Sequence, residues 1–326
     1  MASPWLDTVR FPGRAFQRSV GRAHQPLGGG YGDCGEAVAS AWAAHLGVQP
    51  SDFLLCSSDG AALRLVLHGL LAPGDLVLLA EPAPSEAVCA ILAAGARYVD
   101  VGRRQSGGWD EAALDRALAA HPDALLYGEA PGWLGVDDGP LLATHASRCR
   151  GLVLDARFSQ GWGGPARRMD ELGRAGVWAQ LVALRDPDSP GEVLLHGVAC
   201  APGTGADLGL LHFDAHRPQA PLRQALAVLE GLADPEWTAR ADAVLAARHG
   251  AFAAALADWP GVQVYARAGF RAAAACLAGD AAAVAAHVGR QLAPVAAYGG
   301  HPMRHLVTVD LGVCRVQPAQ AVRAPA

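Results

Sequence analysis

The 326-residue sequence contains no lysine; all 26 of its basic residues are arginine. Lysine is normally among the commonest residues, and its absence excludes whole chemistries. There is no Schiff-base lysine, no phosphate-loop lysine and no lysine general base. GC-biased codon usage, which also favours the alanine, glycine, arginine and proline seen here, accounts for the deficit without restoring the chemistry. Charge is scarce as well, at 17% of residues against roughly 25% in an average soluble protein. A net charge of −5, without arginine runs or acidic patches, argues against nucleic acid as the main partner. The opening Met1-Ala2-Ser3-Pro4-Trp5 lacks the apolar core of a signal peptide. The alanine-rich stretch from Ala272 to Val288 is broken by Asp280 and is too weakly hydrophobic to span a membrane. No Cys-x-x-Cys occurs. The seven cysteines (Cys34, Cys56, Cys89, Cys149, Cys200, Cys276 and Cys314) are odd in number and mostly lie in apolar runs. They read as buried free thiols in a reducing cytoplasm. The expectation is a soluble cytoplasmic protein of one large or two ordinary domains.

What is present is an alternation. Residues 1–30 are turn-rich, end in Gly28-Gly29-Gly30 and read as an N-terminal arm. Short apolar runs then appear at Phe53–Cys56, Leu76–Ala80, Tyr98–Val101, Ala124–Tyr127, Leu152–Asp155, Gln180–Leu184 and Val193–Cys200. Helical patterns separate most of them, at Gly35–Leu46, Ala61–Leu71, Ser85–Ala94, Asp110–Ala120 and Leu141–Arg150. Strand and helix in turn predict an α/β domain with a mostly parallel sheet. The segment between the last two runs is too short for a parallel crossover, so that pair should be antiparallel. The reading is seven strands, one reversed, in a large domain over 31–230. A smaller α+β domain over 231–326 should follow. It would hold a long helix from about Asp234 to Asp258, strands at Val262–Tyr265, Arg271–Leu277 and Leu306–Val309, and a helix at Ala281–Leu292.

Three segments carry a resemblance: Tyr-Gly-Asp-Cys-Gly-Glu-Ala from Tyr31, Cys-Ser-Ser-Asp-Gly-Ala-Ala-Leu from Cys56, and Gly-Leu-Leu-Ala-Pro-Gly-Asp-Leu-Val-Leu-Leu-Ala-Glu-Pro from Gly69. In this order they resemble the class I/II aminotransferases, the fold type I family of pyridoxal-phosphate (PLP) enzymes. The likeness runs from about Tyr31 to Gly312. It implies a seven-stranded, mostly parallel sheet with helices on both faces and a smaller C-terminal domain. It also implies a homodimer, because that family builds its cleft across a two-fold interface; a chain that has lost the lysine-dependent catalysis could instead form a heterodimer with an active paralogue.

The resemblance implies a set of site residues. Ser57, Ser58, Asp59, Gly60 and Ala61 match the turn that cradles the cofactor phosphate, where a helix N-terminus offers free N–H groups to an anion; capping of the helix by Ser58 or Asp59 is the plainer reading. Asp155 stands where the family pairs a carboxylate with the pyridine nitrogen; a turn-forming Asp at a strand end is the alternative. Arg304 looks like the arginine that grips a substrate carboxylate through two hydrogen bonds, or is a surface arginine entering a strand. Other positions depart. Phe158 stands in place of a hydrogen-bonding tyrosine and Gly132 in place of an asparagine, and no stacking aromatic follows Pro82. The loop that should hold the lysine reads Arg185-Asp186-Pro187-Asp188-Ser189-Pro190-Gly191-Glu192, and Leu195-His196-Gly197 replaces the phosphate-binding arginine. Arg185 cannot substitute, because a guanidinium stays protonated and imine formation needs a free primary amine. The only such amine left in the sequence is its N-terminus.

Outside the resemblance, His212 and His216 stand four apart with Asp214 between them. That spacing holds a metal if helical, but Arg217-Pro218 reads as a loop, and no third ligand is identifiable. His196 and His305 are candidate cleft residues. Three functions follow. The first is an aminotransferase-like protein that has lost lysine-dependent PLP catalysis and acts in amino-acid or secondary metabolism, either as a PLP-independent enzyme or as a non-catalytic protein that binds a partner or a small amino-acid-like ligand. The second is an enzyme that holds PLP or pyridoxamine phosphate non-covalently, with His196 as base. The third is an ordinary aminotransferase or decarboxylase.

Overall fold

The structure, a computed structural model, describes residues 31–209 except 82, 105, 131–135, 158–168, 170–175 and 186–192. Beyond 209 it describes 222, 225–226, 228–229, 250, 253–254, 256–257 and four short strands. The N-terminal arm, Gly132, Phe158, the 186–192 loop, the His212–His216 pair, Arg304, His305 and the helices expected over 234–258 and 281–292 lie wholly or largely outside these residues.

Helix α1 (Tyr31–Leu46) leads into β1 (Phe53–Cys56), and α2 (Asp59–Leu70), β2 (Leu76–Leu79), α3 (Ser85–Ala93) and β3 (Arg97–Asp100) follow. Next come α4 (Glu111–Ala120), β4 (Leu125–Glu129), α5 (Gly139–His145), β5 (Gly151–Asp155), β6 (Val177–Arg185), β7 (Val193–Cys200) and α6 (Thr204–Gly209). The seven strands form one sheet in the order β1-β7-β6-β5-β4-β2-β3. Strand β7 is antiparallel to both neighbours, whereas β2, β3, β4, β5 and β6 pair in parallel. The α/β reading and its single reversed strand therefore hold. The short β6–β7 connection dictates the reversal, since a tight link can only fold the chain back beside itself.

The apolar runs stay apolar because helices bury them from both sides, as parallel strands require. On one face α1, α4 and α5 pack through Trp42, Leu46, Leu114 and Leu142 against Leu152, Leu154 and Leu184. On the other, α2 and α3 pack through Leu63, Val66, Leu67, Val88 and Ile91 against Leu125, Tyr127, Val153 and Leu181. Close approach sets two glycines in the sheet. A Cβ at Gly151 would stand 2.4 Å from the Trp178 ring, and one at Gly197 2.5 Å from the Phe53 ring. Helix α5 begins two residues before the expected Leu141, with Pro140 in its first turn, where a missing N–H costs nothing. It stops at His145 and gives way to a tight turn over Ala146–Arg148.

A second sheet holds β8 (Val262–Val264), β9 (Ala272–Leu277), β10 (Ala293–Pro294) and β11 (Leu306–Asp310) in the antiparallel order β10-β11-β9-β8. Strand β10 was not expected. Its proline is tolerated because β10 lies at the edge, where no second neighbour needs its N–H. Among the described residues no helix is long and apolar enough to cross a membrane. Cys56, Cys89, Cys149 and Cys200 are free; Cys56 and Cys200 are buried as expected, whereas Cys149 is half-buried and Cys89 exposed.

Candidate functional site

In an open parallel sheet, ligands bind in the crevice outside the carboxyl ends of the strands. Asp155 is the last residue of β5, opposite Glu129 of β4 and Leu181 of β6. Strand alternation puts it on the same face as Val153, which is the face that α2 and α3 cover. Its carboxylate has no exposed surface, so its charge must be answered from within the protein. Arg157 answers it. Nε donates to Oδ1 at 2.8 Å and Nη2 to Oδ2 at 2.6 Å, while the Arg157 backbone N–H donates to Oδ1 at 3.2 Å. This is the two-pronged fit of a guanidinium on a carboxylate, built on a tight turn in which an Asp side chain takes the N–H two residues on. Tyr127, buried on β4, completes the shell by donating its hydroxyl to Oδ2 at 2.6 Å.

The chain of charges continues outward. Nη1 of Arg157 lies 3.1 Å from Oδ1 of Asp59, and Nδ1 of His196 lies 2.7 Å from the same oxygen. Asp59 opens α2, beyond the carboxyl end of β1. His196 sits on β7 opposite Cys56, the last residue of β1; because β7 runs backwards, its middle meets that end. Thus Tyr127, Asp155, Arg157, Asp59 and His196 form one connected row, of which only Asp59 is substantially exposed.

The environment sets the ionisation along this row. Burial alone would raise the Asp59 pKa, but His196 and Arg157 outweigh it and hold the carboxyl at about 2. Burial likewise works against the Arg157 charge, and Asp155 overrides it, raising the pKa beyond the ordinary arginine value. Tyr127 is pushed up, first by burial and then by the neighbouring Asp155 charge, so it stays a hydrogen-bond donor.

The segment that the resemblance matches to a phosphate turn is a helix start. Ser58 caps α2, its Oγ accepting from the Ala61 N–H at 3.1 Å, which is the plainer of the two readings. Gly60 lies under the Arg64 guanidinium, 3.2 Å from the place a Cβ would occupy. Of the residues singled out in the sequence, Ser58, Asp59, Gly60, Asp155 and His196 belong to this region. Two residues went unremarked, Tyr127 and Arg157. For Arg157 the available signal was an arginine two positions after a strand-end aspartate.

A second buried group adjoins the first. Arg103, from the loop after β3, donates through Nη2 to Oε2 of Glu129 at 3.0 Å and to the Ala80 carbonyl at 3.1 Å. Its Nη1 lies 3.8 Å from Asp138, whose pKa burial raises. Since Glu129 pairs with Asp155 across β4 and β5, two carboxylates stand side by side at the sheet edge, each with its own arginine.

No family model matches the sequence, and no curated protein matches it. Solved structures do match in shape. Alanine aminotransferase from Pyrococcus furiosus superposes with a TM-score of 0.70 at 14% identity, over 92% of this chain and 83% of that one. Histidinol-phosphate aminotransferase from Sinorhizobium meliloti, in complex with pyridoxal-5'-phosphate, gives 0.68 at 16% identity, over 91% and 81%. N-Succinyldiaminopimelate aminotransferase from Mycobacterium tuberculosis gives 0.65 at 25% identity, over 92% and 84%. The chain has the fold of the fold type I aminotransferases.

Proposed function

We propose that this chain is an aminotransferase-like protein whose cleft works without lysine-dependent PLP catalysis, as a binding site or a PLP-independent enzyme for a small amino-acid-like ligand. The fold likeness supports an aminotransferase-type site at the carboxyl edge of the sheet. The observation that carries the rest is the Asp155–Arg157 pair. PLP, bound in the Sinorhizobium structure, would need a free primary amine for covalent attachment, and the sequence has no lysine. It would need a carboxylate for its ring nitrogen, and both oxygens of Asp155 are taken by Arg157, with Tyr127 on one of them. The residues present do not fit the group in that pose.

The test is an absorption spectrum of the purified protein titrated with PLP, followed by borohydride reduction and intact mass measurement. The expected result is the simple sum of the two spectra, with any reduced adduct confined to the N-terminal amine. A protein-perturbed band that saturates at a fixed stoichiometry would overturn the reading.

One contact favours a second reading, in which a cofactor or substrate is held non-covalently and His196 is the base. Asp59 stands 2.7 Å from Nδ1, without a formed hydrogen bond; a small rotation of the imidazole would make one and leave Nε2 to take a proton, the arrangement that a carboxylate imposes on a catalytic histidine. Any activity found should then be lost in His196→Ala; retention of that activity removes the second reading.

A further inference from the structure

Asp155 is the most deeply buried charge among the described residues of the site, with no exposed surface. Among the described residues its neighbours supply one full positive charge, on Arg157, and one neutral side-chain donor, on Tyr127. Arg157 is itself buried, and its guanidinium lies edge-on to the carboxylate through Nε and Nη2 while Nη1 reaches Asp59. A planar cation with donors on two edges therefore bridges the strand end and the first residue of α2. A buried carboxylate stripped of such a partner is costly, and it will recruit a replacement from solution if one of the right shape is offered.

We infer that Arg157 is a built-in counter-ion: its guanidinium occupies a planar-cation site on Asp155, and a chain truncated at Arg157 binds free guanidinium or methylguanidinium there. This deepens the proposed function, on which its functional meaning rests. A cleft whose carboxylate is already paired has no use for a ligand that brings a cation to that point, so its ligand is neutral or anionic where it meets the end of β5. The Asp155–Arg157 fork itself follows from the geometry whatever the cleft does.

The experiment is chemical rescue of Arg157→Ala, read by thermal melting. Truncation should lower the melting temperature by roughly 5–10 °C, as expected for a buried pair left half-empty in a chain of this size. Millimolar guanidinium chloride should recover a concentration-dependent part of the loss, as binding to the folded state alone requires, while sodium chloride at matched ionic strength should not. Adding Asp155→Asn to Arg157→Ala should abolish the rescue, and guanidinium should leave the unmutated protein unimproved. A folded Arg157→Ala variant that guanidinium does not stabilise would overturn the inference, as would rescue that survives Asp155→Asn.

If Arg157→Ala does not accumulate as folded protein, the doubly neutral Asp155→Asn/Arg157→Met carries the test. It needs no counter-ion and should fold; its failure alongside the single variant would overturn the inference too. The PLP titration and the rescue are independent, so failure of the functional reading and failure of the counter-ion are told apart.

Discussion

Asp59 offers the sharpest test of the charge row, because it is the one member substantially exposed to solvent. Its carboxyl faces the Arg157 guanidinium at 3.1 Å, the His196 imidazole at 2.7 Å and the N-terminal turn of its own helix. Asn at this position keeps the shape and removes the charge. The pKa falls from 3.8 to about 2, equivalent to about 2.4 kcal/mol at 1.36 kcal/mol per pKa unit. The side chain is 48% exposed, and solvent screens a pair in that position, so about 1 kcal/mol is the realistic figure. The sign is fixed by linkage. The folded pKa lies below the unfolded one, so the unfolded chain binds more protons between them. The contribution is therefore complete above about pH 4 and is lost as pH falls through about 2. Urea unfolding of the unmutated protein and Asp59→Asn, measured from pH 7 downward, should show a gap of about 1 kcal/mol in favour of Asp. That gap should be flat to roughly pH 5 and should close between roughly pH 4 and 2. A gap that stays constant down to the acid end, or that favours Asn at neutral pH, would refute the reasoning, because no charged partner would then be acting on Asp59.

Two further outcomes are expected. Tyr127→Phe removes a 2.6 Å hydrogen bond to a buried carboxylate and should cost about 1.5–3 kcal/mol in urea unfolding; a change under about 0.5 kcal/mol, within the range of a surface substitution, would mean that Tyr127 does not support Asp155. Burial pushes the Cys200 thiol up to about 12, whereas Cys89 is exposed. Iodoacetamide at mildly alkaline pH should therefore alkylate Cys89 in the native protein and reach Cys200 only after unfolding, which peptide mass spectrometry can read.

The sheet was legible in the sequence because its physics is local. A run such as Leu152–Asp155 is apolar at successive positions for one reason, burial on both faces, and the short link before β7 forces its reversal. The site was legible only in part. Asp155 could be found because a strand end is a place that sequence marks. Its partners could not be found in the same way. Tyr127 and Asp155 meet through the β4–β5 pairing, and His196 reaches Asp59 because the register of β7 sets it opposite Cys56. Neither contact leaves a spacing to read. Arg157 stands one residue before Phe158, the position that the resemblance marks as a missing tyrosine. A resemblance exposes what is absent at an address more readily than what has replaced it. At Asp155 absence and replacement belong to one electrostatic condition. A carboxylate that stays ionised with no exposed surface needs hydrogen-bond donors or a cation within reach. A chain that supplies this cation from two residues away, in a fork that uses both oxygens, has no need to obtain it from a ligand. On the proposed reading, the sequence without lysine and the arginine after β5 are two sides of the same site: one leaves no lysine amine to hold a cofactor covalently, and the other occupies the carboxylate that the resemblance pairs with the ring nitrogen.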